Sequence, residues 1–339
     1  MTSLRSTRVV VALGLTLAAL PAACDRAQGA TPAGAAPASS SAAQAATTTV
    51  SPGTATAVVT APASASAVLP AAVAPGDTGA ASASAVASAA PPDGPCPPEM
   101  ALIGKSCVDR WEAHLARDEG GTLVDHPHFE RLVSGVRYVA KSEAGHYPQG
   151  YISRKESDAA CKNAGKRLCS MGEWLRACQG KRWSQYPYGP RVQAGKCNSG
   201  KVHLLSKMFG SNGQAWKYDE NFNSPALNQE PGFLAKAGEY EGCVSDFGVY
   251  DLVGNLHEWV SDSVDEEMVT RLENEPVERR RQPWRDGNGV FMGGFFSTTN
   301  EHGGGCKFVT IAHEPTYHDY STGFRCCKSV PGDEKKKRK

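Results

Sequence analysis

The sequence predicts an irregular, loop-rich α+β fold: one disulfide-stapled domain over residues 94–330 of a 339-residue chain. Three observations carry that expectation. Ten of the eleven cysteines fall inside this stretch, an even number of the kind that disulfide frameworks use in exported proteins. Apolar runs there are short and broken by Gly, Asn and Pro, so no long helical or strand period is sustained. Only two segments carry full helix start and stop signals.

Taken in order, the chain opens with an export-signal pattern. Arg5 and Arg8 supply a basic start, and Val9 to Leu20 form an apolar core too short to be a comfortable membrane span. Pro21-Ala-Ala-Cys24 then offers a cleavage and lipidation site at Cys24, degenerate because proline stands where an aliphatic residue is usual; cleavage without lipidation is the alternative. Residues 25–93 are almost entirely Ala, Ser, Thr, Pro, Gly and Val, with no aromatic residue. Such a segment cannot bury enough surface to offset its ordering entropy, and it reads as a disordered tether.

Within the domain, Ser153 and Glu156 form a capping box, followed by Ala159, Ala160 and Ala164 and a stop at Gly165. Ser170 and Glu173 repeat the device before Trp174, Ala177, Cys178 and Gly180, with Lys166-Arg-Leu-Cys169 joining the two helices. The run Asp246 to Trp259 is too irregular for helix or strand. Asp251 and Glu258 flank its Gly-Asn turn, where the Gly254 and Leu256 carbonyls could join them around a hard cation such as Ca²⁺. Capping of backbone amides by the same acids is the other reading. Arg279-Arg-Arg281 follows Glu273, Glu275 and Glu278 and reads as a solvated, self-neutralising loop; 331–339 is a short charged tail. A net charge of +1 gives no reason to expect a nucleic-acid partner, and no Cys-x-x-Cys pair indicates structural zinc.

Four runs in order resemble the formylglycine-generating enzyme (sulfatase-modifying factor) family. They are Gly165-Lys-Arg-Leu-Cys-Ser-Met-Gly-Glu-Trp174, Tyr186-Pro-Tyr-Gly189, Asp246-Phe-Gly-Val-Tyr-Asp-Leu-Val-Gly-Asn-Leu-His-Glu-Trp259 and Gly323-Phe-Arg-Cys326. The resemblance implies a C-type-lectin-like fold with little regular structure. It also implies the disulfides Cys161–Cys326 and Cys178–Cys306. The pairing of Cys96, Cys107, Cys169, Cys197, Cys243 and Cys327 stays open; adjacent Cys326 and Cys327 point to opposite faces of a strand, and elimination leaves 169–327, 96–107 and 197–243. Trp174 and Trp259 are expected in the core, whereas Trp284 stands outside the shared motifs.

Enzymes of that family oxidise a substrate cysteine with O₂ and Cu(I) held by two thiolates, the soft ligands that Cu(I) prefers. Aligned on Gly293-Gly-Phe-Phe296, this chain has Thr298 at the first thiolate position, and the second falls at 301–303 without a cysteine. Copper is therefore not expected. Calcium is: the resemblance assigns Asp251, the Gly254 and Leu256 carbonyls and Glu258 to one structural Ca²⁺, and Asn198 with the Ser199 carbonyl to a second. The expected function is a catalytically diverged domain, exported and lipid-anchored to a membrane, that binds a peptide or cell-envelope ligand. The alternative is a metal-dependent oxidase whose site is rebuilt from histidines or acids, with His302, His313 and His318 near this end. The related sulfoxide synthases bind iron through histidines, but mainly from an extra helical domain, where this sequence has only the tether.

Overall fold

The computed structural model describes residues 94–273, 282–298 and 302–330. The leader with Cys24, the tether, the Arg279–Arg281 loop and the charged tail lie outside these residues. The chain forms β1 (Met100–Ile103), β2 (Ser106–Asp109), β3 (Ala113–Glu119), β4 (Thr122–Asp125) and β5 (Tyr138–Ser142) before its first helix. There follow α1 (Arg154–Asn163), β6 (Arg167–Leu168), α2 (Met171–Gln179) and α3 (Leu204–Phe209). The last part holds β7 (His257–Ser263), α4 (Glu266–Glu273), β8 (Gly289–Met292), β9 (Val309–His313), β10 (Thr322–Phe324) and β11 (Cys326–Ser329).

Three small sheets result, ordered β1-β2-β11-β6, β10-β7-β8-β9 and β4-β3-β5. This is the expected irregular α+β architecture. Both capping boxes form: the Ser153 and Ser170 hydroxyls accept from the Glu156 and Glu173 amides, and each glutamate accepts from its cap residue's amide. Gly165 and Gly180 end the helices with positive φ. The expected linker 166–169 contains β6, because Arg167 and Leu168 pair with β11. Helices α3 and α4 have no complete capping signal in the sequence and were not expected.

Five disulfides close the domain: Cys96–Cys107, Cys161–Cys326, Cys169–Cys327, Cys178–Cys306 and Cys197–Cys243. Cys326 and Cys327 do face opposite ways. Cys326 packs in the core with Leu115, Trp259 and Phe324, while Cys327 packs in the core with Val108, Trp174 and Val260. Trp174 and Trp259 are fully buried. Trp174 donates to Glu258 Oε2 at 2.8 Å and Trp259 to the Ile152 carbonyl at 2.9 Å, so each satisfies its indole N–H inside the core. Asp109 is also buried, 2.7 Å from Lys166 Nζ; burial outweighs that cation and pushes its carboxyl up to about 6.

The Cys161–Cys326 bridge spans 165 residues of sequence and ties α1 to the last strand. Replacing Cys161 or Cys326 by Ser should cost roughly 2–5 kcal/mol, read as a large fall in melting temperature. Unchanged stability would mean that this staple does not hold the C-terminal strand.

Candidate functional site

The cleft of interest follows from a tight turn. Gly293 and Gly294 adopt φ of 84° and 76°, and a Cβ at either would collide: at Gly293 with the Leu252 carbonyl 2.9 Å away, at Gly294 with the Thr298 side chain at 2.7 Å. Only glycine allows the chain to turn here, and the turn places Phe295, Ser297 and Thr298 along one wall. Thr298 Oγ1 accepts from the Phe295 amide at 2.7 Å, and the Thr298 amide donates to the Phe295 carbonyl at 2.9 Å. The residue at the family's first thiolate position thus spends its hydroxyl on holding the turn.

Around that turn lies a cleft of 320 Å³ lined by Phe291, Phe295, Phe308 and Tyr320, with His203, His257, His313 and Thr298 among its polar groups. His257 is buried among Phe291, Phe295 and Phe308, and its Nδ1 has no hydrogen-bond partner. Burial, reinforced by His313 and His302 nearby, holds its pKa well below the ordinary histidine value, so it is neutral. Burial likewise lowers His313 and His203. His313 stacks on Tyr317 with ring centres 3.9 Å apart. Tyr317 donates to Asp319 Oδ2 at 2.6 Å, and burial with Asp319 beside it raises the phenol far above its ordinary range. The cleft is therefore aromatic, rich in hydrogen-bonding groups and built largely of neutral side chains. A second cleft of 700 Å³ includes Trp284 and His318 and shares His313 and Tyr317 with the first as lining residues.

No cysteine lines either cleft. All ten cysteines of the domain are spent in disulfides, Cys306 in its bridge to Cys178. Two of the histidines singled out in the sequence, His302 and His313, do line the inner cleft, while His318 stands in the outer one. His257 was not singled out in the sequence, where it lies inside the shared motif between Leu256 and Glu258.

The residues expected to hold calcium are brought together differently. Asp251 is buried at a φ of 59°, with Oδ2 accepting from the Gly238 amide at 2.6 Å; burial pushes its carboxyl up to about 7. Gly254 lies against Asn198, whose carbonyl would be 2.1 Å from any Cβ there. Leu256 donates its amide to Glu112 Oε1. Glu258 is committed elsewhere: its two oxygens receive Arg325 Nε and Nη2, each at 2.6 Å, and Trp174 adds a third bond. Glu258 thus accepts three hydrogen bonds, and a cation it held would share the carboxylate with the guanidinium. Asn198 is less occupied. Its Nδ2 donates to the Phe233 carbonyl and Asn255 Oδ1, both at 2.8 Å, and its buried Oδ1 has no partner. The two expected sites thus share one turn, since the Asn198 carbonyl also accepts from the Asn255 amide.

Arg325 is fully buried, and removal of one partner of a buried ion pair leaves an uncompensated charge. Glu258→Gln should cost about 3–5 kcal/mol in urea unfolding. A cost under about 1 kcal/mol would show that the neighbouring carboxylates Glu112 and Asp251 carry the guanidinium instead.

A search of curated proteins finds no match. Among solved structures, PvdO from Pseudomonas aeruginosa aligns at 14% identity over 66% of this chain and 80% of its own, with a TM-score of 0.38. CarF aligns at 14% identity over 66% of this chain and 86% of its own, with a TM-score of 0.36. Treponema denticola variable protein 1 aligns at 15% identity over 65% of this chain and 63% of its own, with a TM-score of 0.31. The profile of the sulfatase-modifying factor enzyme 1-like domain matches residues 118–330, more than half of the chain, including all four sequence motifs and the groove they surround. The chain belongs to the sulfatase-modifying factor family.

Proposed function

We propose that this chain is an exported, catalytically diverged member of its family, lipid-anchored through Cys24, whose groove binds a peptide or another cell-envelope ligand. The observation that carries this reading is the fate of the sulfur. Thr298 stands at the first thiolate position with its hydroxyl bonded to the backbone, and every cysteine of the domain is bonded to another cysteine. A hydroxyl cannot replace a thiolate toward Cu(I). The groove itself is kept, with aromatic walls able to take an apolar side chain and neutral imidazoles and hydroxyls able to pair with an extended backbone. Five disulfides suit an oxidising, exported compartment, and no described helix is long and apolar enough to cross a membrane.

A second reading, a metal-dependent oxidase, draws on His257, His302 and His313 lining the same cleft. Immobilised random tridecapeptides, with and without cysteine, separate the two. Wild-type protein should capture peptides, and Thr298→Trp, which fills the cleft, should weaken capture at least about tenfold, the scale of losing one well-placed contact worth ~1.4 kcal/mol. Equal capture by both proteins would remove the groove from consideration. Oxygen uptake with cysteine peptides and Cu(I) or Fe(II), abolished by His257→Ala or His313→Ala, would replace the binding reading with the oxidase.

We also infer a structural Ca²⁺ at the 198–256 turn. The resemblance implies one ion at Asp251, the Gly254 and Leu256 carbonyls and Glu258 and another at Asn198 and the Ser199 carbonyl; the unpartnered Asn198 Oδ1 supports the latter. Stripping with EGTA should lower the melting temperature and Ca²⁺ should restore it; Asn198→Ala should abolish the response. A melting temperature indifferent to EGTA would leave Asp251 as a simple cap of the Gly238 amide.

A further inference from the structure

We propose that His114, Glu143 and His146 form a Zn²⁺ site at the rim of the β4-β3-β5 sheet, with a fourth coordination position open to water. The three residues come from two places. His114 is the second residue of β3, and Glu143 and His146 lie just beyond β5, the strand paired with it through Ala113↔Ser142 and His114↔Lys141. The turn that carries the latter two is fixed on both sides: the Gly145 amide donates to the Ala237 carbonyl at 2.9 Å, and the Ala237 amide to the His146 carbonyl at 2.8 Å.

The geometry points to a small tetrahedral ion. Glu143 Oε2 lies 3.5 Å from His114 Nε2 and 3.4 Å from His146 Nε2. A Zn²⁺ ion with bonds of 2.0–2.1 Å sets its ligands about 3.4 Å apart in a tetrahedron. The three ligand atoms lie within 4.8 Å of one another, and no other group of three His, Cys, Asp or Glu side chains among the described residues meets this condition. Both Nε2 atoms lie near the Glu143 carboxylate, and the two imidazoles stack with ring centres 4.3 Å apart and planes at 13°.

His114 supplies an independent sign of a missing ligand. It is 5% exposed, and its Nε2 has no hydrogen-bond partner although it is aimed at the space between Glu143 and His146. Leaving a buried ring nitrogen unpaired is costly, and a metal bond removes that cost. Glu143 and His146 are half-exposed, so the ion could enter from solvent and retain a water. Two imidazoles and one carboxylate with an open position are a donor set that Zn²⁺ takes in catalytic as well as structural sites.

The site differs from the calcium turn in ligand type and from the groove in composition, sharing no residue with either. The test uses the full chain stripped of metal. Titration calorimetry with Zn²⁺ should give one equivalent bound, with a rise in melting temperature of about 5–10 °C at a hundredfold excess over Kd. Co²⁺ in place of Zn²⁺ should give the intense visible bands of a tetrahedral ion. Glu143→Gln and His146→Gln, both at half-exposed positions, should keep the metal-free melting temperature and lose at least about tenfold in Zn²⁺ affinity, the lower bound for losing one ligand-shell partner. His313→Gln, in the groove, should bind Zn²⁺ as wild type does. The proposal is overturned if Zn²⁺ fails to bind, if binding survives Glu143→Gln and His146→Gln, or if it is lost in His313→Gln.

Discussion

Arg325 is the residue on which the rest of this structure depends. It stands alone between β10 and β11, which belong to different sheets, and it is fully buried where they meet. Its guanidinium leaves no donor idle. Nε and Nη2 clamp Glu258, Nη1 reaches the carbonyls of Asp109 and Arg110, and Nη2 also reaches the carbonyl of Tyr250. Glu258 in turn receives the indole of Trp174 from α2. A single charge network therefore ties the end of β2, the irregular 246–256 run, β7 and α2 to the last two strands. A chain with so little regular structure has few backbone ladders to do this work, and a planar fork with five fixed donors is suited to replace them.

The same network engages two of the acids expected around calcium, Asp251 and Glu258. Three carboxylates, Glu112, Asp251 and Glu258, surround one guanidinium in the interior. Burial, then the charges of Asp251 and Glu258, drives Glu112 well above its ordinary pKa, and Asp251 is raised as well. At this turn the side-chain oxygen of Asn198 has no hydrogen-bond partner. Glu112 supports the turn from the other side, accepting from the Leu256 amide and from Asn255 Nδ2 at 2.5 Å.

The groove shows how backbone sterics set the shape of a cleft independently of its chemistry. The Gly293-Gly294 turn persists because a Cβ there would strike backbone or side chain, whatever the groove does. Thr298 braces the turn through its hydroxyl. Around it lie an aromatic cleft that includes His257 and a domain whose sulfur is committed to holding loops together. The outer cleft adds Trp284, which has a rim position in contrast to the two core tryptophans.

Much was legible in the residues themselves. Both capping boxes, the positive-φ stops at Gly165 and Gly180 and the opposed directions of Cys326 and Cys327 follow from local rules: short-range hydrogen bonds, backbone sterics and the two-residue period of a strand. The four motifs marked the fold and the family. The ladder through β6, the capture of Glu258 by Arg325, the burial of His257 and the meeting of His114 with Glu143 and His146 were decided only by the tertiary structure. Each joins residues far apart in sequence, and whether a carboxylate faces a guanidinium or a cation, or an imidazole faces water or an empty coordination shell, depends on what packing delivers to it from elsewhere in the chain.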